Sequence, residues 1–207
     1  LVGGDTTRGP LNLCVTIFGE VGEKPLRRDS ARAGDDIWVS GDLGGAALGL
    51  AHLRGDLRLT ADEAAACLTH LHRPEPRVQL GLTLVALPRV AAIDISDGLL
   101  ADLGHILECS GVGADVQFAQ LPAHVAVAAR LQDSAVARRC LLAGGDDYEL
   151  CFTAPPASMA DVIAAGTAAG VTVRRIGRIA VEPGLRLFGV DGETLQIEER
   201  GFDHFNT

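Results

Sequence analysis

Residues 90–110, VAAIDISDGLLADLGHILECS, decide the fold class. Val90 to Ile95 is a short apolar run and reads as a buried strand. It passes through Ser96-Asp97-Gly98 straight into a helix over residues 99–110, which Gly111 and Gly113 bring to an end. Strands and helices alternate on both sides of this junction. Before it, residues 11–21 and 36–40 read as strands, and residues 46–53 as a helix after a glycine turn. Thr60, with Glu63 three residues on, has the spacing of a capping box and starts a helix to about His70. Pro74 to Pro76 break the chain before another helix that runs to about Leu87. After the junction, residues 114–118, 148–153 and 171–179 read as strands, residues 123–142 as one or two helices, and residues 159–169 as a helix. Asp191-Gly192 marks a hairpin joining residues 185–188 to 194–197. This alternation predicts a sheet covered by helices. Long helices with a closing hairpin favour an α+β fold with a mixed sheet over a purely doubly wound one.

Length and composition narrow the function classes. At 207 residues the chain holds one large domain, or one and a half small ones. Hydrophobic residues make up 47% but aromatics only 4%, so Leu, Val, Ile and Ala must fill the core. The formal charge of −9 disfavours nucleic acid and anionic membranes as partners, because both demand clustered Lys and Arg. No stretch of about 20 apolar residues is present to span a bilayer. The five cysteines are scattered without a Cys-x-x-Cys pair, as expected for reduced thiols in a cytoplasmic protein. The six histidines show no zinc-like spacing. Lys24 is the only lysine and lies in no Gly-x-x-x-x-Gly-Lys-Ser/Thr loop, which excludes a P-loop. The His-Arg-Asp and Asp-Phe-Gly runs of protein kinases and the Gly-x-Ser-x-Gly elbow of serine hydrolases are also absent.

Three acidic, glycine-flanked loops remain. In Asp94-Ile95-Ser96-Asp97-Gly98, two carboxylates three residues apart lie at a strand-to-helix turn and can converge on one cation. Magnesium takes such hard oxygens, one or two carboxylates completed by phosphate oxygens and water. The helix start offers backbone N–H groups that suit a phosphate. The alternative is structural, with Ser96 or Asp97 simply capping the helix. Gly144-Gly145-Asp146-Asp147-Tyr148-Glu149 sets adjacent carboxylates after a tight turn; it is either a ligand loop or a solvated turn. Gly3-Gly4-Asp5 repeats the theme. Together the loops suggest a polyanion held through several metal ions; Arg27 and Arg28 either reach a phosphate bidentately or form an exposed basic pair.

The runs GGDTTRGPL at 3–11, LRR at 26–28, AIDISDGLLADLGHI at 92–106, GGDDYEL at 144–150 and GFDHF at 201–205 together resemble thiamine-monophosphate kinases. That family belongs to the superfamily of aminoimidazole-ribonucleotide synthetase, selenophosphate synthetase and the hydrogenase-maturation dehydratase. The resemblance covers essentially the whole chain. It implies ATP-dependent phosphorylation of thiamine monophosphate to thiamine diphosphate and a fold like the superfamily's carboxy-terminal domain. By motif position it implies Asp5, Asp94 and Asp97 as magnesium ligands, Ser96 and Arg28 as ATP contacts, and Glu149 and Phe202 as contacts to thiamine monophosphate. It also implies a homodimeric intact protein. On this resemblance residues 1–26 are the last strand and linker of a mostly absent amino-terminal ATP-binding domain, residues 27–207 are the carboxy-terminal α+β domain, and the 207 residues alone are inactive. Another ATP-using enzyme of the superfamily, or a non-catalytic nucleotide-binding module, is the alternative.

Overall fold

The computed structural model describes residues 3–4, 8–22 and 24–196. Seven strands form one sheet in the order β2–β4–β1–β5–β3–β6–β7. They are β1 (Asp36–Ser40), β2 (Ala91–Asp94), β3 (Gly113–Gln117), β4 (Leu150–Ala154), β5 (Val173–Ala180), β6 (Gly184–Phe188) and β7 (Thr194–Leu195). Every neighbouring pair is antiparallel except β3 and β6, which run parallel. The sheet is therefore mixed and the class α+β. The expected hairpin at Asp191-Gly192 joins β6 to β7.

The period of two along the central strands splits the apolar side chains between two cores. Ile37 and Val39 of β1, Ala91 and Ile93 of β2 and Cys151 of β4 face the larger one. There they meet α1 (Gly45–Arg54), α4 (Leu99–Ser110), α5 (Val125–Ala128) and α6 (Ala135–Ala143), through Leu48, Leu103, Ile106, Val127 and Leu141. Trp38 and Phe152 point the other way, onto Leu80 and Leu84 of α3 (Val78–Leu84) and Val162 of α7 (Met159–Ala168). Leu99, Leu103 and Ile106 of α4 are fully buried, each stabilising the fold by about 1.5–3 kcal/mol. That burial anchors the element that follows the acidic turn. The helix α2 (Ala61–His72) packs on α1 and opens with the expected box: Glu63 N donates to Thr60 Oγ1 and Thr60 N donates to Glu63 Oε2.

One sequence expectation fails. Residues 11–21 form no strand and join no ladder. Leu11, Leu13, Val15, Ile17 and Phe18 are each at least 84% exposed. An alternating apolar segment becomes a strand when a neighbouring edge takes its backbone groups and a core takes its apolar side chains. The described residues supply neither here.

Candidate functional site

The junction at residues 94–98 and the loop at residues 144–149 lie far apart in sequence and meet in space. Asp94 is the register partner of Leu150, so the β2–β4 ladder ends at this pair. Backbone bonds carry it onward: Ile95 N donates to Glu149 O at 2.8 Å, Tyr148 N to Ile95 O at 2.8 Å, and Asp146 N to Ser96 O at 3.0 Å. Two glycines permit so close an approach. Gly98 has φ +112, and a Cβ there would stand 2.7 Å from the Ala143 carbonyl carbon; a Cβ on Gly145 would collide with Ser96 O. Asp146 and Tyr148 both hold positive φ, 67° and 51°, which costs about 1–3 kcal/mol per non-glycine residue and persists only where surrounding bonds fix it.

The loops present one acidic wall. Asp94 is exposed, and Ser96, Asp97 and Asp146 are half-buried. Partial burial raises the pKa of the Tyr148 phenol, and the charges of Asp146, Asp94 and Asp97 push it further the same way, so all three carboxylates act on one point. No arginine or lysine pairs with Asp94 or Asp146 among the described residues. Beside the wall runs an open cleft of about 510 Å³, lined by Arg27, Arg28, Asp94, Cys109 and Leu150 among others. Arg28 reaches it because Ala92 N donates to Arg27 O, laying residues 26–28 along β2.

Behind the wall lie three buried carboxylates, each held differently. Glu149 is gripped by Arg77, Nε to Oε2 at 2.8 Å and Nη2 to Oε1 at 2.6 Å, and accepts from Ser40 Oγ at 2.5 Å. Asp147 Oδ2 accepts from Gly44 N at 2.8 Å, at the start of α1, and its Oδ1 has no partner among the described residues. Burial lifts the pKa of Asp147 to about 8; the Gly44 and Ala46 amides oppose this rise, and the neighbouring Glu149 and Asp146 add to it. Asp102 Oδ2 accepts from the amides of Ser96, Asp97 and Gly98.

The Asp102 bonds take up the N–H groups of Ser96, Asp97 and Gly98, in the turn that precedes α4. The N-cap of α4 is Gly98, not Ser96 or Asp97 as in the capping alternative. Of the expected site residues, Asp94, Ser96, Asp97 and Arg28 gather at the wall and its cleft, and Glu149 lies directly behind. Asp5 and Phe202 lie outside the described residues. Sequence reasoning missed Asp102, Arg77 and Ser40. An acidic residue in a helix's first turn is unremarkable, being favoured there by the macrodipole. Arg77 sits in a proline-broken segment with no local signal.

The donor chemistry suits magnesium in part. Hard carboxylate oxygens are present, but among the described residues no group of three or more His, Cys, Asp or Glu side chains closes on a cation. That matches a site completed by phosphate oxygens, water or further protein ligands.

The class so defined is an α+β domain with helices on both faces of a mixed sheet and an acidic wall where two loops prolong one ladder. The model of AIR synthase related protein, C-terminal domain, matches residues 32–190, and the chain belongs to that family. Thiamine-monophosphate kinase of Salmonella typhimurium is 40% identical over 209 residues, covering 100% of this chain and 64% of that protein. The Haemophilus influenzae enzyme of the same name is also 40% identical, covering 99% of this chain and 63% of its own length. Among solved structures, thiamine-monophosphate kinase from Stenotrophomonas maltophilia K279a superposes with TM-score 0.71 at 45% identity, over 82% of this chain and 54% of that one. AaThiL complexed with AMPPCP and TMP superposes with TM-score 0.69 at 28% identity, over 87% of this chain and 54% of that one. The chain thus spans less than two thirds of the curated relatives it matches. No described helix is long and apolar enough to cross a membrane.

Proposed function

We propose that this chain is the carboxy-terminal part of a thiamine-monophosphate kinase, which transfers a phosphoryl group from ATP to thiamine monophosphate with magnesium. One observation carries the reading: Asp94, Asp97 and Asp146, from two distant motifs, share one wall beside a cleft that Arg28 lines. The relatives' names and the AMPPCP- and TMP-bound neighbour support the same activity.

In this reading Asp94 and Asp97, with Asp5, hold magnesium. Bound magnesium neutralises phosphate oxygens, so that two anions can approach. Arg28 and Ser96 contact ATP, and the Arg28 guanidinium suits a phosphate because it can donate two parallel hydrogen bonds. Glu149 and Phe202 contact thiamine monophosphate, Phe202 through its aromatic face. Glu149 begins the task with its carboxylate fixed by Arg77 and Ser40. The acceptor phosphate is already ionised, so no protein base has to activate it. In the intact protein residues 1–26 would supply the last strand and linker of an amino-terminal ATP-binding domain, the strand forming only against that domain's edge, and residues 27–207 the carboxy-terminal domain; the exposed apolar segment at 11–21 supports this division. The intact protein is a cytoplasmic homodimer, and the 207 residues alone are inactive.

The test is conversion of thiamine monophosphate to the diphosphate by the intact protein with ATP and magnesium. Asp94→Ala should lower kcat/KM by about 100-fold or more. Activity that survives the substitution refutes the metal assignment. No conversion by the unsubstituted protein would instead favour a non-catalytic binding module, and turnover by the 207 residues alone would refute their inactivity.

A further inference from the structure

Three consecutive backbone N–H groups, of Ser96, Asp97 and Gly98, converge on one point. Such a nest captures an anion. Here the anion belongs to the chain itself: Asp102 Oδ2 accepts from all three at 3.0, 3.0 and 3.1 Å. Asp102 is 2% exposed, and no cation pairs with it among the described residues.

An ordinary helix cap serves the first amides of its own helix. Asp102 does something else. Helix α4 begins at Leu99, and the amides that Asp102 binds precede it. They are the amides of the turn between Asp94 and the helix. The turn is held from its other side as well, where Asp146 N donates to Ser96 O and Gly98 lies flush against Ala143. Nor is Asp102 placed to be a metal ligand, because it is buried and its Oδ2 already accepts three donors.

We propose that Asp102 is a positioning residue: its carboxylate locks the 96–98 turn so that Asp94 and Asp97 are aimed at one divalent cation, which Asp102 itself does not touch. The proposal rests on the cation-binding reading above. It separates two jobs that one aspartate-rich motif would seem to share. Asp94 and Asp97 meet the ion, and Asp102 fixes the backbone that carries Ser96 and Asp97. Residues that orient metal ligands typically change affinity by about 10–100-fold when removed.

The test is Mn2+ binding to the intact protein, followed by electron paramagnetic resonance without nucleotide, alongside circular dichroism of each variant. Asp102→Ala removes the acceptor and should weaken Mn2+ binding by about tenfold or more with the helical signal retained. Asp102→Asn keeps an oxygen for the three amides without the charge, and should bind within about threefold of the unsubstituted protein. Unchanged binding in Asp102→Ala overturns the proposal. So does Asp102→Asn binding as weakly as Asp102→Ala, because Asp102 would then act through its charge or as a ligand. If Asp102→Ala does not fold, Asp102→Asn decides alone: a tenfold loss overturns the brace, and retention supports it. An unsubstituted protein that binds no Mn2+ removes the cation-binding reading and the brace together, whereas unchanged binding in Asp102→Ala removes the brace only.

Discussion

Replacing Asp147 by Asn should make the chain's stability less dependent on pH, by an amount the structure sets. Asp147 is buried behind the acidic wall, with one oxygen on Gly44 N and the other without a partner among the described residues. Burial raises its pKa from the ordinary 3.8 to about 8, with Glu149 and Asp146 adding to the rise against the pull of the Gly44 and Ala46 amides. Between those values the folded chain keeps a proton that the unfolded chain releases. The stability contributed by the protonated carboxyl is therefore complete below about pH 4 and is lost as pH climbs through about 8. Each pH unit in this window is worth about 1.4 kcal/mol. Asparagine has no charge to bury and escapes the loss. From pH 5 to pH 8 the stability of Asp147→Asn relative to the parent should thus rise by on the order of 4 kcal/mol. Whatever constant cost the amide introduces cancels in that difference. Urea unfolding followed by the fluorescence of Trp38 measures it, since Trp38 is the chain's single tryptophan and is 4% exposed on β1. The measurement belongs in buffer free of divalent ions, so that no metal masks the carboxylates. A stability difference flat to within about 1 kcal/mol over that range would refute the assignment of a buried, proton-holding Asp147.

Two further substitutions test the supports of the wall. Arg77→Met leaves Glu149, 3% exposed, without its counter-charge and should cost about 3–5 kcal/mol in urea unfolding, where a loss below about 1 would mean that Glu149 finds another partner. Gly98→Ala combines φ +112 with a Cβ pressed on the Ala143 backbone and should cost about 3 kcal/mol. Gly111→Ala, at φ +67 in open space, should cost only about 1 kcal/mol, and equal losses at the two positions would show that crowding plays no part.

The sequence shows the fold well wherever local signals and burial agree. Residues 99–110 form the predicted helix end to end, because Gly98 and Gly111 bracket it and Leu99, Leu103 and Ile106 line one buried face. The Thr60–Glu63 box appears as expected because both its partners are local. The failure at residues 11–21 is of another kind: strand propensity there is real, but a strand is completed by a neighbour the described residues do not contain. The site divides the same way. Asp94, Ser96 and Asp97 are legible because they are adjacent. The supports are not, since Arg77 reaches Glu149 from 72 residues away and Asp147 reaches Gly44 across 103. Nothing local in either segment encodes such a pairing.

The arrangement of charge is itself an argument about the site. The wall brings like charges together: the Tyr148 phenol, its pKa raised first by burial, is pushed further the same way by Asp146, Asp94 and Asp97. In a chain selected for stability alone, arginines would interleave with such carboxylates, as Arg89 does with Asp35 and Arg175 with Asp36 elsewhere in the fold. Among the described residues no arginine or lysine pairs with Asp94 or Asp146, whereas behind the wall Arg77 pairs with Glu149. Asp102 and Asp147 are held by backbone amides, which fix geometry while leaving the front of the wall negative. The strained φ values at Asp146 and Tyr148 point the same way, since backbone energy is being spent on the direction of side chains. An acidic surface beside an arginine-lined cleft fits a ligand that is itself anionic only if cations lie between the two. That is why the proposed polyanion and the proposed metal ions stand or fall together.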